Sequence, residues 1–228
     1  MKKVMVGTPC YDGKISAHYA DSMLNSVILG SKEKIIIRPV YLLHQAVIQY
    51  ARNELLKMFL DSDFEELVFI DSDQAWDPEN LIKLIKSDKD FVGAPVIRKA
   101  EKEMYNINCV NSSLKIDKNG YMVVDSVGTG MLKLSRNCIQ KIWDVSQEYV
   151  IDFKKEPNRM AFEIGINDKG HTLSEDNMFC KKWQNLGGVV YVDTSINPYH
   201  IGDKIWKGDF SSFIERALKA RQKLEDTV

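Results

Sequence analysis

The chain has 228 residues, 44% of them hydrophobic, with 28% charged residues of both signs and a formal net charge of −1. That length suits one large domain or two intimate subdomains around a substantial core, and the balanced charge speaks against binding nucleic acid or a membrane surface by bulk electrostatics. Cys10, Cys109, Cys138 and Cys180 are scattered without a CxxC pair, which fits reduced thiols in a cytosolic chain rather than a disulfide or zinc framework.

The basic start, Met1-Lys2-Lys3, leads into an apolar stretch too short for a signal peptide, and Val4 to Val6 reads as a first strand. No apolar run approaches a membrane span. Ser16 caps a helix whose Tyr19, Ala20, Met23, Leu24 and Val27 share a face. Ile35 to Ile37 is a second strand, and Val47, Tyr50, Ala51, Leu55 and Met58 form the apolar stripe of a second helix. Leu67 to Ile70 is a third, buried strand. Asp77-Pro78 reads as N-cap and first residue of a helix carrying Leu81, Ile82 and Ile85. Phe91-Val92-Gly93 begins a fourth strand. This alternation predicts an α/β fold with a mainly parallel sheet covered on both faces. The second half has a different texture. Asp117-Lys118-Asn119-Gly120 reads as a turn between Leu114-Lys115-Ile116 and Tyr121 to Val124. Val127 to Leu132 is a Gly-interrupted strand near a ligand, and Lys154 to Arg159 a loop. Ser174 starts a helix ending at Gly187-Gly188, Val189 to Val192 is a last strand, and Phe210 to Leu224 a terminal amphipathic helix. With no repeat or clear linker, residues 1–228 read as one domain. Its nucleotide half is 1–100, its acceptor half 101–209 with a smaller mixed sheet, and 210–228 closes it as a helix.

The most informative residues are Ile70-Asp71-Ser72-Asp73. Asp71 and Asp73 follow a buried strand at the rim of an open sheet, where α/β proteins bind ligands, and one intervening residue points both carboxylates the same way. Such a pair suits a hard cation and the diphosphate or ribose beside it, although an acidic turn before a helix looks the same. Three features join it. His200-Ile201-Gly202 offers a third metal ligand, Gly202 allows backbone approach to a phosphate, and Lys204 and Trp206 follow. Ser174-Glu175-Asp176 puts two acids in a helix first turn, as macrodipole partners or as a general base. Gly7-Thr8-Pro9-Cys10-Tyr11-Asp12-Gly13 reads as a loop for a base and ribose, without a dinucleotide or P-loop fingerprint.

In this order the motifs resemble glycosyltransferases of the GT-A fold, over most of the chain. The likeness is to the small cytosolic type of bacteriophages, large viruses and bacteria, and more distantly to fungal mannosyltransferases. Thr8-Pro9-Cys10-Tyr11 resembles the first nucleotide loop, Ala51-Arg52-Asn53 the element on the helix before the metal strand, and Asp71-Ser72-Asp73 the DxD motif. Gly128-Thr129-Gly130 resembles the acceptor-side strand, Ser174-Glu175-Asp176 with Phe179-Cys180 the element carrying the catalytic acid of inverting members, and His200-Ile201-Gly202 the C-terminal metal-binding His. The resemblance implies Mn2+ or Mg2+, a nucleoside-diphosphate sugar donor, hexosyl transfer, and a cytoplasmic location in a cell or infected host. It puts Asp71, Asp73 and His200 at the metal. Thr8, Pro9, Tyr11, Arg52, Asp71, Ser72, Gly202 and Lys204 fall at the nucleotide, and Asp176 or Glu175 at the acceptor proton. The acceptor is a glycan precursor or a hydroxylated DNA base, the latter helped by the basic pairs Arg98-Lys99 and Lys154-Lys155. Trp206 stacks on sugar or covers the site, and Trp183 is core. A sugar-nucleotide nucleotidyltransferase and a non-catalytic nucleotide-sugar binding module are the alternatives; retaining or inverting stereochemistry stays open.

Overall fold

The computed structural model describes residues 1–109, 114–151 and 156–225. Its elements run β1 (Lys2–Cys10), α1 (Ala17–Lys32), β2 (Ile35–Leu43), α2 (Ile48–Leu60), β3 (Glu66–Ile70), β4 (Gln74–Ala75), α3 (Pro78–Lys86) and β5 (Phe91–Gly93). There follow β6 (Ile107–Asn108), β7 (Tyr121–Val123), β8 (Ser126–Val127), β9 (Met131–Ser135), α4 (Arg136–Val145), β10 (Glu148–Tyr149) and β11 (Asn158–Arg159). The chain ends with β12 (Gly165–Ile166), β13 (Thr172–Leu173), α5 (Glu175–Asn185), β14 (Tyr191–Asp193), β15 (Tyr199–Ile201), β16 (Ile205–Trp206) and α6 (Phe210–Glu225).

A seven-stranded sheet, in the order β2-β1-β3-β9-β5-β14-β7, forms the centre. β2, β1, β3, β5 and β14 share one direction, while β9 and β7 run against it. The smaller sheets of the second half are antiparallel, and one of them joins β16, β15 and β4. Side chains on β3 alternate between two cores, as a pleated strand buried on both faces must. Leu67 and Phe69 enter a cluster with Leu55, Phe59, Ile139, Phe162, Phe179 and Phe210. Val68 and Ile70 enter the other, with Tyr19, Met23, Trp76, Leu81 and Ile85. Each fully buried side chain of this kind contributes roughly 1.5–3 kcal/mol.

Several expectations shift. β1 extends to Cys10, so Thr8 and Pro9 are strand residues and the loop starts only at Tyr11. Ser16 does cap α1, its hydroxyl accepting from Tyr19 N at 3.0 Å. Yet the buried stripe is Tyr19, Ser22, Met23, Ser26 and Gly30, and Leu24 is exposed. The two serines go inward because Trp76 needs them: its backbone N donates to Ser22 Oγ and its indole to Ser26 Oγ. On α2 the buried set includes Arg52 and Asn53, whereas Val47 and Met58 are exposed. The strand expected over Val127 to Leu132 is broken into β8 and β9 by Gly128-Thr129-Gly130. The Asp117–Gly120 turn forms, but its first arm makes a single bridge, Ile116 to Met122. Of the loop expected from Lys154, Lys154 and Lys155 lie outside the described residues, and Asn158–Arg159 pairs with β10. The four cysteines are free. Burial pushes the Cys180 thiol up to about 12, which makes it an inert core group. Among the described residues no helix is long and apolar enough to cross a membrane.

Helix α4 was not foreseen. Ser135 caps it by accepting from Cys138 N. Arg136, its first residue, reaches back to the end of α2. Its guanidinium donates to the carbonyls of Phe59, Leu60, Ser62 and Phe64 and lies 4.5 Å from the Phe59 ring centre. Charged donors thus gather carbonyls at the end of α2 and just past it, where Phe59 O also accepts from Ser62 N and Ser62 Oγ. Arg136→Ala is therefore expected to lower stability by about 2–3 kcal/mol and the melting midpoint by roughly 4–12 °C. An unchanged midpoint in a thermal melt would refute this account of the α2–α4 junction.

Candidate active site

The chain leaves β3 at Ile70 and turns through Asp71-Ser72-Asp73 into β4. Asp71 N donates to the Gly130 carbonyl at 3.2 Å, and the Asp71 carbonyl accepts from Gln74 N at 3.0 Å. These bonds fix the turn at the carboxyl end of the parallel strands. Beside it lies a cleft of about 300 Å³ lined by Pro9, Tyr11, Gln45, Ala46, Arg52 and the three residues of the turn, with Ile48 at its edge.

The two carboxylates of the turn have different partners. Asp71 Oδ1 accepts from Arg52 Nη2 at 3.2 Å. Arg52 is buried, and its Nη1 donates to Glu175 Oε1 at 2.5 Å. One guanidinium thus joins α2, the acidic turn and the first turn of α5. A planar fork can do this; a single ammonium is poorly suited to it. Arg52 Nε and Thr129 Oγ1, close by, are buried without hydrogen-bond partners among the described residues.

Asp73 is held from the other side of the fold, by Lys99 and His200. Its Oδ2 takes a hydrogen bond from Lys99 Nζ at 2.6 Å and lies 3.1 Å from His200 Nε2. Burial opposes ionisation of Asp73, but the hydrogen bonds and charges of His200 and Lys99 outweigh it and hold the carboxyl well below the usual carboxylate range. Strand pairing explains how residues so distant in sequence meet: His200 sits opposite Gln74 in the β15–β4 ladder, and Ile201 N donates to the Asp73 carbonyl at 2.7 Å. His200 Nδ1 lies 2.8 Å from the Ile97 carbonyl. A carbonyl only accepts, so Nδ1 carries the proton and Nε2 is the position turned toward Asp73.

Across from the turn, Asp176 occupies the first turn of α5. Ser174, at the N-cap, gives its hydroxyl to Asp176 Oδ1 rather than capping a backbone N–H, and Asn177 N donates to the same oxygen at 2.9 Å. Asp176 Oδ2 faces Gly128: a Cβ built there would lie 3.5 Å from it. A Cβ at Gly130 would lie equally close to Asp71 Oδ2. The glycine turn between β8 and β9 therefore runs alongside both carboxylates, within van der Waals reach of each.

The expected site residues divide accordingly. Pro9, Tyr11, Arg52, Asp71, Ser72 and Asp73 meet at one cleft, with His200 against Asp73 and Glu175 against Arg52. Thr8 does not join them: it is fully buried, and its hydroxyl pairs with Tyr19 OH at 2.5 Å. Glu175 is held by Arg52, which leaves Asp176 as the less encumbered acid. Gly202 and Lys204 lie on the β15–β16 turn, and Lys204 lines a separate pocket of about 580 Å³ with Trp206, its ammonium 5.2 Å from the Trp206 ring centre. Trp183 is core, as expected. Arg98 and Lys99 are not a free basic pair, because Arg98 binds Asn106 and Lys99 binds Asp73. Among the described residues no three metal-ligating side chains converge, since Asp71 is turned to Arg52. One carboxylate and one imidazole oriented by a carbonyl still fit Mn2+ or Mg2+, which take much of their shell from phosphate oxygens and water. Reading the sequence missed Lys99 and the Gln45-Ala46 wall of the cleft.

No family model matches the chain, and no curated protein matches it by sequence. Among solved structures it is similar to A197 from STIV, with 17% identity over 89% of this chain and 87% of that one and a TM-score of 0.55. It also aligns with a glycosyltransferase involved in the glycosylation of the major capsid of PBCV-1, at 12% identity, 61% and 63% coverage and a TM-score of 0.33. A third alignment is to S. aureus TarS 1-349 in complex with UDP-GlcNAc, at 13% identity, 93% and 61% coverage and a TM-score of 0.44. At such identities the likeness is one of fold, and the match to A197 carries it.

Proposed function

We propose that the chain is a glycosyltransferase of the GT-A type, moving a sugar from a nucleoside-diphosphate sugar to an acceptor hydroxyl. The observation that carries this reading is the placement of two acidic centres along one glycine turn. Asp71-Ser72-Asp73 stands at the carboxyl end of β3 over Gly130, and Asp176 stands over Gly128. Transfer of this kind needs a donor diphosphate on one side of a sugar and an acceptor hydroxyl on the other. The cleft walled by Pro9, Tyr11 and Gln45 suits the nucleoside, and the glycine turn leaves room for the sugar.

Each group then has a task. Asp73 and His200 would hold Mn2+ or Mg2+, which neutralises charge on a departing diphosphate. Arg52 keeps Asp71 directed at the ribose side of the cleft and fixes the first turn of α5 against it. Asp176, its Oδ1 held by Ser174 and Asn177 N, accepts the acceptor's proton at Oδ2. Against a nucleotidyltransferase, Arg52 and Lys99 are the arginine and lysine side chains that touch the acidic turn among the described residues, and carboxylates already engage both; a triphosphate demands more.

A thermal-shift screen of nucleotide sugars with manganese tests the proposal. One nucleoside family should raise the melting midpoint, and chelation should remove the effect. Absence of any shift across uridine, guanosine, cytidine and thymidine donors would count against a nucleotide-sugar site. Arg52→Lys keeps the charge but not the fork. It is expected to lower kcat/KM by about ten- to a hundredfold through misplacement of Asp71 and the start of α5. Wild-type kcat/KM in that variant would remove Arg52 from the working site.

A further inference from the structure

The segment after β5 reaches the Asp73 centre twice. Ile97 gives its carbonyl to His200 Nδ1, and two residues later Lys99 gives its ammonium to Asp73 Oδ2. Arg98 between them points away, to Asn106, as alternation along an extended segment requires. The path of the Lys99 stem crosses Gly202: a Cβ there would lie 3.5 Å from Lys99 Cδ and 2.9 Å from the Trp206 ring. The Lys99 stem thus lies against the β15–β16 turn at van der Waals distance, while the missing Gly202 side chain makes room for the Trp206 ring.

The electrostatics of this arrangement are specific. With the Ile97 carbonyl holding the proton on Nδ1, His200 presents Nε2 to Asp73 Oδ2 at 3.1 Å, as a donor when the ring is charged and as a second acceptor when it is neutral. In either form Asp73 Oδ2 is an anionic oxygen that draws a cation. Lys99 brings a positive charge to that oxygen at 2.6 Å. A divalent ion held by Asp73 and His200 requires the same oxygen. Ammonium and metal then compete, and a displaced lysine at this spot lies beside whatever anion the metal holds.

We propose that Lys99 is a diphosphate-binding residue that occupies the cation's place on Asp73 until metal and donor arrive together, and then moves to the phosphate oxygens. The assignment rests on the glycosyltransferase reading above, and it gives to Lys99 the role expected of Lys204. Its consequence is coupling: metal alone must displace Lys99 without reward, whereas metal carried with a diphosphate offers the ammonium a new partner. Binding of each ligand is thereby made conditional on the other.

The test is calorimetric titration of the intact protein with manganese alone, and separately with manganese pyrophosphate, for wild type, Lys99→Met, Lys99→Arg and the charge control Lys118→Met. Lys99→Met should bind manganese alone at least about tenfold more tightly than wild type, because one positive charge near the ion is gone, and should bind manganese pyrophosphate more weakly. Lys99→Arg should retain wild-type order, and Lys118→Met should match wild type in both titrations. If wild type binds manganese and Lys99→Met binds it with the same affinity, the Lys99 proposal is overturned while the metal site stands. If wild type binds neither probe, the metal-dependent reading fails and this proposal with it. Far-ultraviolet circular dichroism of each variant excludes unfolding as the cause.

Discussion

Asp73→Ala is expected to abolish metal-dependent donor binding, with a loss of affinity for manganese plus nucleoside diphosphate greater than about a hundredfold. The prediction follows from position. Asp73 is the point where the β3–β4 turn, the β15 strand and the segment after β5 meet, through its own carbonyl, His200 and Lys99. Removing the carboxylate takes away the anionic ligand and leaves Lys99 free to hold phosphate by itself. The variant should therefore keep weak binding that no longer responds to chelators. Its backbone bond to Ile201 is untouched, so the fold should survive. Full manganese-dependent turnover in Asp73→Ala would show that the metal assignment is wrong.

Asp176→Asn should cost about 10²- to 10⁴-fold in turnover, with nucleotide affinity nearly unchanged. Asparagine keeps the size and can still accept from Asn177 N, but it takes no proton from an acceptor hydroxyl. The competing account, in which Asp176 merely complements the helix dipole, predicts only a modest loss of stability, of about 0.3–1 kcal/mol, with chemistry intact. Turnover and melting temperature measured on the same variant separate the two. An active but less stable Asp176→Asn protein would exclude Asp176 as base, and would favour a retaining course without one. Glu175 is the weaker substitute, because its carboxylate is paired with Arg52.

How much of this could be read beforehand depended on how local each signal was. The acidic turn was legible because Leu67 to Ile70 is an unbroken apolar strand and the acids follow it directly. Ser16, Asp77-Pro78 and Gly187 marked helix ends by residue type alone, and the structure agrees with them. The end of β1 was not legible. Gly7, Thr8 and Pro9 look like turn residues, yet pairing with β2 carries the strand past them, and Tyr19 takes up the Thr8 hydroxyl. The buried Ser22 and Ser26 of α1 were hidden for the same reason: their partner Trp76 lies some fifty residues away. Lys99 looked like half of a surface basic pair. Its partner is Asp73, 26 residues earlier, a contact that no spacing rule connects to it. Antiparallel β9, inserted between β3 and β5, likewise has a direction that the pattern of the strand itself does not tell.

The central claim is that this cleft joins a nucleotide sugar to an acceptor hydroxyl. Release of nucleoside diphosphate from a panel of nucleotide sugars, followed with manganese in the presence and absence of a pooled set of hydroxyl acceptors, tests it most directly. The account predicts slow release of the diphosphate from one donor without acceptor, faster release with the right acceptor, and neither after chelation or in Asp73→Ala. Formation of pyrophosphate from a nucleoside triphosphate and a sugar 1-phosphate, or donor binding without release under any of these conditions, would contradict it.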